Sequence, residues 1–137
     1  MAMQRTLIIL KPDAVARHLV GRLISRFEDK GLSIVGLKLM KIPLSLARRQ
    51  YAEHKGKPFY QGLLKFMTSG PVVLMVVEGK DAVRICRTML GATFGSDAEP
   101  GTLRGDFGIS NRFNLVHGSD SAASARREIG LFFQPSE

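Results

Sequence analysis

Two stretches of the chain are apolar without a polar break, Leu7 to Leu10 and Val72 to Val77. They predict strands buried on both faces, over residues 5–10 and 72–77. The first carries β-branched residues and is stopped by Pro12. Residues 32–42 read as a longer strand that is less buried, because Lys38 and Lys41 interrupt it. Between the strands the period changes. Leu19/Val20, Leu23/Ile24 and Phe27 recur at helical spacing, with Arg22, Arg26 and Lys30 on another face and Gly31 as a left-handed close. Residues 44–54 and 59–68 predict two short helices broken by Gly56-Lys57-Pro58, the second ended by Ser69-Gly70-Pro71. Asp81 opens a helix with an apolar stripe of Val83, Cys86 and Met89/Leu90, and Gly91 follows it. Residues 91–112 show little periodicity and read as a long loop, which in a compact domain is usually functional. A short strand near 113–117 follows, and Ser119, Asp120 and Ser121 are N-cap candidates for a helix to about Ile129.

The order is strand, helix, strand, helical pair, strand, helix, loop, strand, helix. Two fully apolar strands and two mixed ones predict an α+β fold: a ferredoxin-like βαββαβ sandwich, with helices packed on a four-stranded antiparallel sheet. At 137 residues, with no repeat or linker, the expectation is one domain spanning 1–137. No apolar run approaches the ~20 residues of a membrane-spanning helix. The single cysteine, Cys86, excludes an intrachain disulfide and a multi-cysteine metal site. The first residues lack the basic and apolar regions of a secretory signal. A reducing, cytoplasmic location is the expectation.

Charge changes the picture of partners. Twenty Lys and Arg against 12 Asp and Glu leave a net charge of +8. That favours a polyanion: nucleic acid, an acidic membrane or a phosphorylated small molecule. The basic residues are dispersed, which equally fits a merely soluble surface. Arg48-Arg49 and Arg126-Arg127 are the only adjacent pairs.

Neither G-x-x-x-x-G-K-[ST] nor G-x-G-x-x-G occurs, and no paired Cys/His metal spacing does. Phosphate chemistry would have to use side-chain clamps. The most informative segment is Asn114-Leu115-Val116-His117-Gly118-Ser119-Asp120. His117 sits where a strand ends, beside a flexible glycine and within three residues of a helix N-terminus, which attracts phosphate. An imidazole there could attack phosphorus, and Glu128, about two turns along the helix, could orient it. Against this stands a structural histidine bonded to a cap. His18 and His54 read as surface residues. Lys11, at the end of the first strand, could be a point charge on a phosphate or an ordinary exposed lysine. Arg87 and Arg104 could clamp phosphate oxygens or form surface contacts, and Thr93 could donate its hydroxyl. Phe59, bracketing the helical break with Tyr51, could stack on a base or pack a helix start.

Taken together these segments resemble the nucleoside diphosphate kinase family over about residues 4–133. The resemblance rests on Thr6 to Asp13 (T-L-I-I-L-K-P-D), Tyr51-Ala52-Glu53-His54, Phe59-Tyr60, Met67 to Val72, Gly91-Ala92-Thr93, Pro100 to Phe107 and His117-Gly118-Ser119-Asp120-Ser121. It implies a ping-pong phosphotransferase in which a nucleoside triphosphate gives its γ-phosphate to Nδ1 of His117 and a nucleoside diphosphate takes it away. Glu128 would support the histidine, with Ser119 bridging. Lys11, Arg87, Thr93 and Arg104 would contact phosphates, Lys11 and Asn114 the ribose 3′-hydroxyl, and Tyr51 would help hold Lys11. Phe59 would stack on the base beside Leu63. Mg²⁺ would arrive on the nucleotide phosphates of ATP and its counterparts, as suits that ion, with no protein metal cage. A homo-oligomer, tetramer or hexamer, would be built from a dimer using Val20, Leu23, Ile24, Phe27, Ile34, Val35 and Leu37.

Two stretches depart from the family pattern. Phe94-Gly95-Ser96 stands where members usually continue with Asn-Pro, which bears on the subunit contact. Asn111 and Phe113 replace the usual valine and arginine ahead of the catalytic segment, which bears on base contacts. A nucleic-acid-binding module shares the charge and the fold class. It needs exposed aromatics on central strands, and residues 5–10 and 72–77 have none, so nucleic acid is at most a secondary partner.

Overall fold

The computed structural model describes residues 3–92, 97–108 and 114–137. Strands β1 (Met3–Leu10), β2 (Ser33–Met40), β3 (Val72–Lys80) and β4 (Val116–Gly118) form one sheet in the order β2-β3-β1-β4. All three pairings are antiparallel. This is the ferredoxin-like order expected above. β1 and β3 are central, and helices cover the sheet on both sides. On one side Ile8, Leu10, Met75 and Val77 pack with Leu23 and Phe27 of α2 (Val20–Asp29) and Cys86 and Leu90 of α5 (Ala82–Leu90). On the other, Leu7, Ile9, Val72 and Leu74 meet α3 (Leu44–Gln50), α4 (Tyr60–Met67) and Phe132 of α7 (Ala122–Phe132). Successive strand residues therefore feed opposite cores, which is why both runs are apolar without a break. No helix among the described residues is long and apolar enough to cross a membrane.

Strand β2 forms one edge of the sheet. Val35, Leu37 and Leu39 on it are exposed, while Lys38 pairs with Glu137 at 3.1 Å. Leu23 and Phe27, expected to be available to a partner subunit, are fully buried in the chain's own core.

Two short helices stand where loop was expected. Pro12 ends β1 and also begins α1 (Pro12–Ala16), because its fixed φ suits a first helical turn. Within the long loop, α6 (Leu103–Phe107) is capped by Thr102, whose hydroxyl accepts the Gly105 N–H at 3.0 Å. A Cβ on Gly105 would collide with the Glu99 carbonyl. The expected helix over 44–54 divides into α3 and a 3₁₀ turn at Ala52–His54. Gly31 closes α2 at φ +95°, as expected. Of the three cap candidates it is Ser121 that caps α7, accepting from the Ser124 N–H at 3.0 Å. Asp81 precedes α5 but directs its carboxylate to Arg84. Thr93, Phe94-Gly95-Ser96, Asn111 and Phe113 lie outside the described residues.

Candidate active site

Strand β4 places His117 opposite Ile9 of β1. Residues opposite one another in an antiparallel pair share a face, so the imidazole emerges on the side of α3, α4 and α7. There the Tyr51 ring meets it edge-on, with centroids 6.2 Å apart. Its Nε2 lies 2.9 Å from Glu128 Oε1, and the Ser119 hydroxyl donates to the same oxygen at 2.7 Å. Burial pushes the Glu128 carboxyl up, but hydrogen bonding and charge from His117, the Ser119 hydroxyl and Arg127 outweigh it and hold the group below its ordinary range. The neighbouring Gly118 packs closely on Leu90: a Cβ would come within 2.7 Å of Leu90 Cδ1, so that side chain would have to shift. Its φ is not positive, so conformational freedom is not the reason for this glycine.

Lys11, at the end of β1, is buried, and its Nζ donates to Asn114 Oδ1 at 2.8 Å. Burial, with Arg104 nearby, lowers its pKa to about 8, against the opposing charge of Asp13. It is not the exposed lysine of the alternative reading. Arg104 is 4% exposed and spans two carbonyls, Gly91 at 2.9 Å and Val116 at 2.6 Å. Burial, and then the charge of Arg87, lowers its pKa to about 10. Arg87 donates to the Gly118 carbonyl at 3.2 Å.

A cavity of about 650 Å³ opens between these groups. Lys11, Tyr51, Phe59, Leu63, Arg87, Arg104, Asn114, His117 and Glu128 all line it. Ser119 lies behind, on Glu128. Phe59 projects at the mouth, 47% exposed. The lining thus combines three cations with apolar and aromatic side chains, which suits a ligand with a charged and a flat part.

Three placements differ from expectation. His54, read as a surface residue, lines the cavity and sits 5.2 Å from the Phe59 ring and 6.4 Å from Tyr51. The 3₁₀ turn carries it there, and its spacing of three from Tyr51 was the available signal. The Tyr51 hydroxyl is buried without a partner and does not hold Lys11, whose ammonium goes to Asn114. Gln50, unnoticed in sequence, is 2% exposed and places its amide 3.4 Å from His117 Nε2. Glu53 and Asp120 also line the cavity. His18 is exposed, as expected.

Fold and cavity together define a ferredoxin-like α+β protein with a cation-rich pocket that holds the His117–Glu128 pair. The sequence profile of the family described as Nucleoside diphosphate kinase matches residues 4–137. A nucleoside diphosphate kinase of Carboxydothermus hydrogenoformans is 58% identical over 135 residues, 98% of this chain and 91% of that one. One from Staphylococcus epidermidis is 53% identical over the same shares. Among solved structures, a halophilic nucleoside diphosphate kinase from Halobacterium salinarum in complex with CDP superposes with a TM-score of 0.97 at 50% identity, covering 99% of this chain and 91% of that one. The enzyme from Aquifex aeolicus gives 0.96 at 39% identity, covering 99% of both. The chain belongs to the nucleoside diphosphate kinase family. It is an enzyme of phosphate transfer between nucleotides.

Proposed function

We propose that the protein, as one domain over residues 1–137, moves the γ-phosphate of a nucleoside triphosphate to a nucleoside diphosphate by a ping-pong route through phosphorylated His117. The observation that carries this reading is the contact of His117 Nε2 with Glu128. An ionised carboxylate can only accept, so Nε2 carries the proton and the lone pair is left on Nδ1. Nδ1 attacks the γ-phosphorus, the bond from phosphorus to the bridging oxygen breaks, and the diphosphate leaves with that electron pair. The ring gains positive charge, which faces Glu128. A second diphosphate then attacks the phosphoryl group with a terminal oxygen and restores the imidazole.

Lys11, Arg87 and Arg104 supply the cationic surroundings that phosphoryl transfer needs, with Thr93 adding a hydroxyl donor. Asn114, already on Lys11, addresses the ribose. Phe59 and Leu63 receive the base, and stacking on a π-face every base has suits a broad substrate range. Among the described residues no group of three or more His, Cys, Asp or Glu is arranged to hold a metal ion. Mg²⁺ would arrive on the nucleotide phosphates and neutralise charge there. Both faces of β1 and β3 are covered by helices, so these central strands offer no open face to stacked bases of a nucleic acid. The exposed Val35, Leu37 and Leu39 on the β2 edge are the apolar surface offered to a second copy of the chain, the unit of a tetramer or hexamer in the cytoplasm.

Incubation with γ-labelled ATP should leave label on the protein that survives alkali and is lost in acid, as a phosphoramidate should. His117→Ala should remove both label and turnover. Label retained in that variant overturns the proposal.

A further inference from the structure

Asp13 does not line the cavity, yet it touches the segment that presents His117. Leu115 is fully buried and has φ +75°, a conformation that a leucine rarely adopts. The Val116 N–H donates to the Asn114 carbonyl at 2.9 Å, which makes Leu115 the centre of a three-residue γ-turn of the positive-φ, strained kind. Such a conformation persists where its surroundings over-determine it. Here both backbone polar groups of Leu115 are tied to the start of α1. Its carbonyl accepts the Lys11 N–H at 2.8 Å, and its N–H donates to Asp13 Oδ2 at 3.1 Å. On one side of the turn, Asn114 holds the Lys11 ammonium. Two residues beyond it lies His117.

We infer that Asp13 is a positioning residue: its carboxylate holds the strained Leu115 turn, and the turn sets Asn114 on Lys11 and aims the strand that carries His117. The inference rests on the reading of His117 as the phosphoryl acceptor. Without the acceptor at Asp13, the Leu115 N–H would be buried and unpaired, and the turn could relax toward negative φ. That relaxation would rotate Asn114 and the entry to β4 together. Asp13 Oδ1 accepts no hydrogen bond, so an amide NH₂ can occupy its place without breaking one. Burial raises the Asp13 pKa, with Lys11 and nearby backbone N–H groups opposing, which agrees with a carboxylate kept for its geometry despite the cost of burying its charge.

Two near-isosteric variants separate geometry from charge. Asp13→Asn keeps an oxygen facing the Leu115 N–H and removes the charge. Asp13→Glu keeps the charge and displaces the oxygens by one methylene. The readout is the rate of phosphoenzyme formation at saturating nucleotide, by rapid quench and per folded molecule, with the label mapped to its residue. Asp13→Asn should stay within about threefold of the unaltered protein, and Asp13→Glu should slow by about 10- to 100-fold, the scale of an ångström-sized misplacement. Equal loss in both variants, or Asp13→Glu at full rate, overturns the inference. Should Asp13→Glu not fold, Asp13→Asn decides with hydrogen exchange at the Leu115 amide. Rate and protection kept together support the inference; loss of either, or of both, overturns it. Label on a residue other than His117 in the unaltered protein would instead overturn the proposed function.

Discussion

Glu128 Oε1 accepts from two groups at once, His117 Nε2 at 2.9 Å and the Ser119 hydroxyl at 2.7 Å. The hydroxyl fixes the carboxylate and the carboxylate fixes the ring. Glu128→Gln keeps the size and one acceptor oxygen but loses the charge that faces the phosphorylated ring. We expect kcat to fall about 10²-fold, the scale of one lost electrostatic stabiliser. Ser119→Ala should act in the same direction and more weakly, since it leaves the carboxylate in place. Steady-state and single-turnover rates check both. An undiminished kcat in Glu128→Gln would refute the role.

The parts of this arrangement differ in how far the sequence announces them. β1 and β3 were legible because burial on both faces leaves an unbroken apolar run. α1 and α6, at five residues each, are too short to show a helical period; Pro12 at the first position starts the one and the Thr102 cap starts the other. The His117–Glu128 pair was legible because Glu128 lies about two turns along the helix that begins just after His117. The Lys11–Asn114 bond joins residues 103 positions apart and rests on the β1–β4 pairing. Nothing in a leucine announces positive φ, so the Leu115 turn and the task of Asp13 were invisible. Gln50 was missed because a glutamine three residues after Ala47 does not read as part of the buried face of α3, and His54 because the 3₁₀ turn, and not a periodic face, carries it to the cavity.

The pH profile should report Lys11. Burial and Arg104 lower its pKa to about 8 from the ordinary 10.5, so the nucleotide-free protein loses this cation as pH rises through about 8. Log kcat/KM should bend downward there, while kcat stays level to higher pH, because bound phosphates favour the charged form. Stability runs the other way. The unfolded chain keeps the proton to about 10.5, so this group makes the fold more stable as pH rises from about 8 toward 10.5. Lys11→Met should abolish the bend in kcat/KM and, in denaturation at pH 7 and 9.5, lose the rise. A bend of equal size in Lys11→Met would assign it elsewhere.

Phe59 stands at the cavity mouth, 47% exposed, so it contributes little to the fold. Phe59→Ala should change stability by less than about 0.5 kcal/mol, as surface substitutions do. Nucleotide binding should weaken by about 1–3 kcal/mol, roughly 5- to 150-fold, with all four bases affected and purines most. Calorimetric titration of the four diphosphates provides the comparison. Loss confined to one base would mean that Phe59 reads base identity instead of offering a stacking face.

Arg104 joins the cavity to the fold. Its guanidinium bridges the Gly91 and Val116 carbonyls at 2.9 and 2.6 Å while 4% exposed, and its Nε is buried without a partner. The two carbonyls lie on the segment after α5 and on β4, so one side chain ties the long loop to the strand that bears His117. Arg104→Ala would leave both carbonyls without this donor. At about 1–3 kcal/mol for each buried acceptor left unsatisfied, and with solvent reaching one of them, the loss of stability should be about 2–4 kcal/mol. Arg104→Lys keeps the charge but has no planar fork to span two acceptors, so it should recover less than half of that loss. Phosphate transfer should fall in both variants, because the cation and the position of β4 are lost or displaced together. Urea denaturation with and without a nucleoside diphosphate tests the coupling. The diphosphate should stabilise the unaltered protein and stabilise Arg104→Ala much less. Full stability in Arg104→Ala would show that the bridge to Gly91 and Val116 contributes nothing to the fold, and equal stabilisation by the diphosphate would remove Arg104 from the phosphate site.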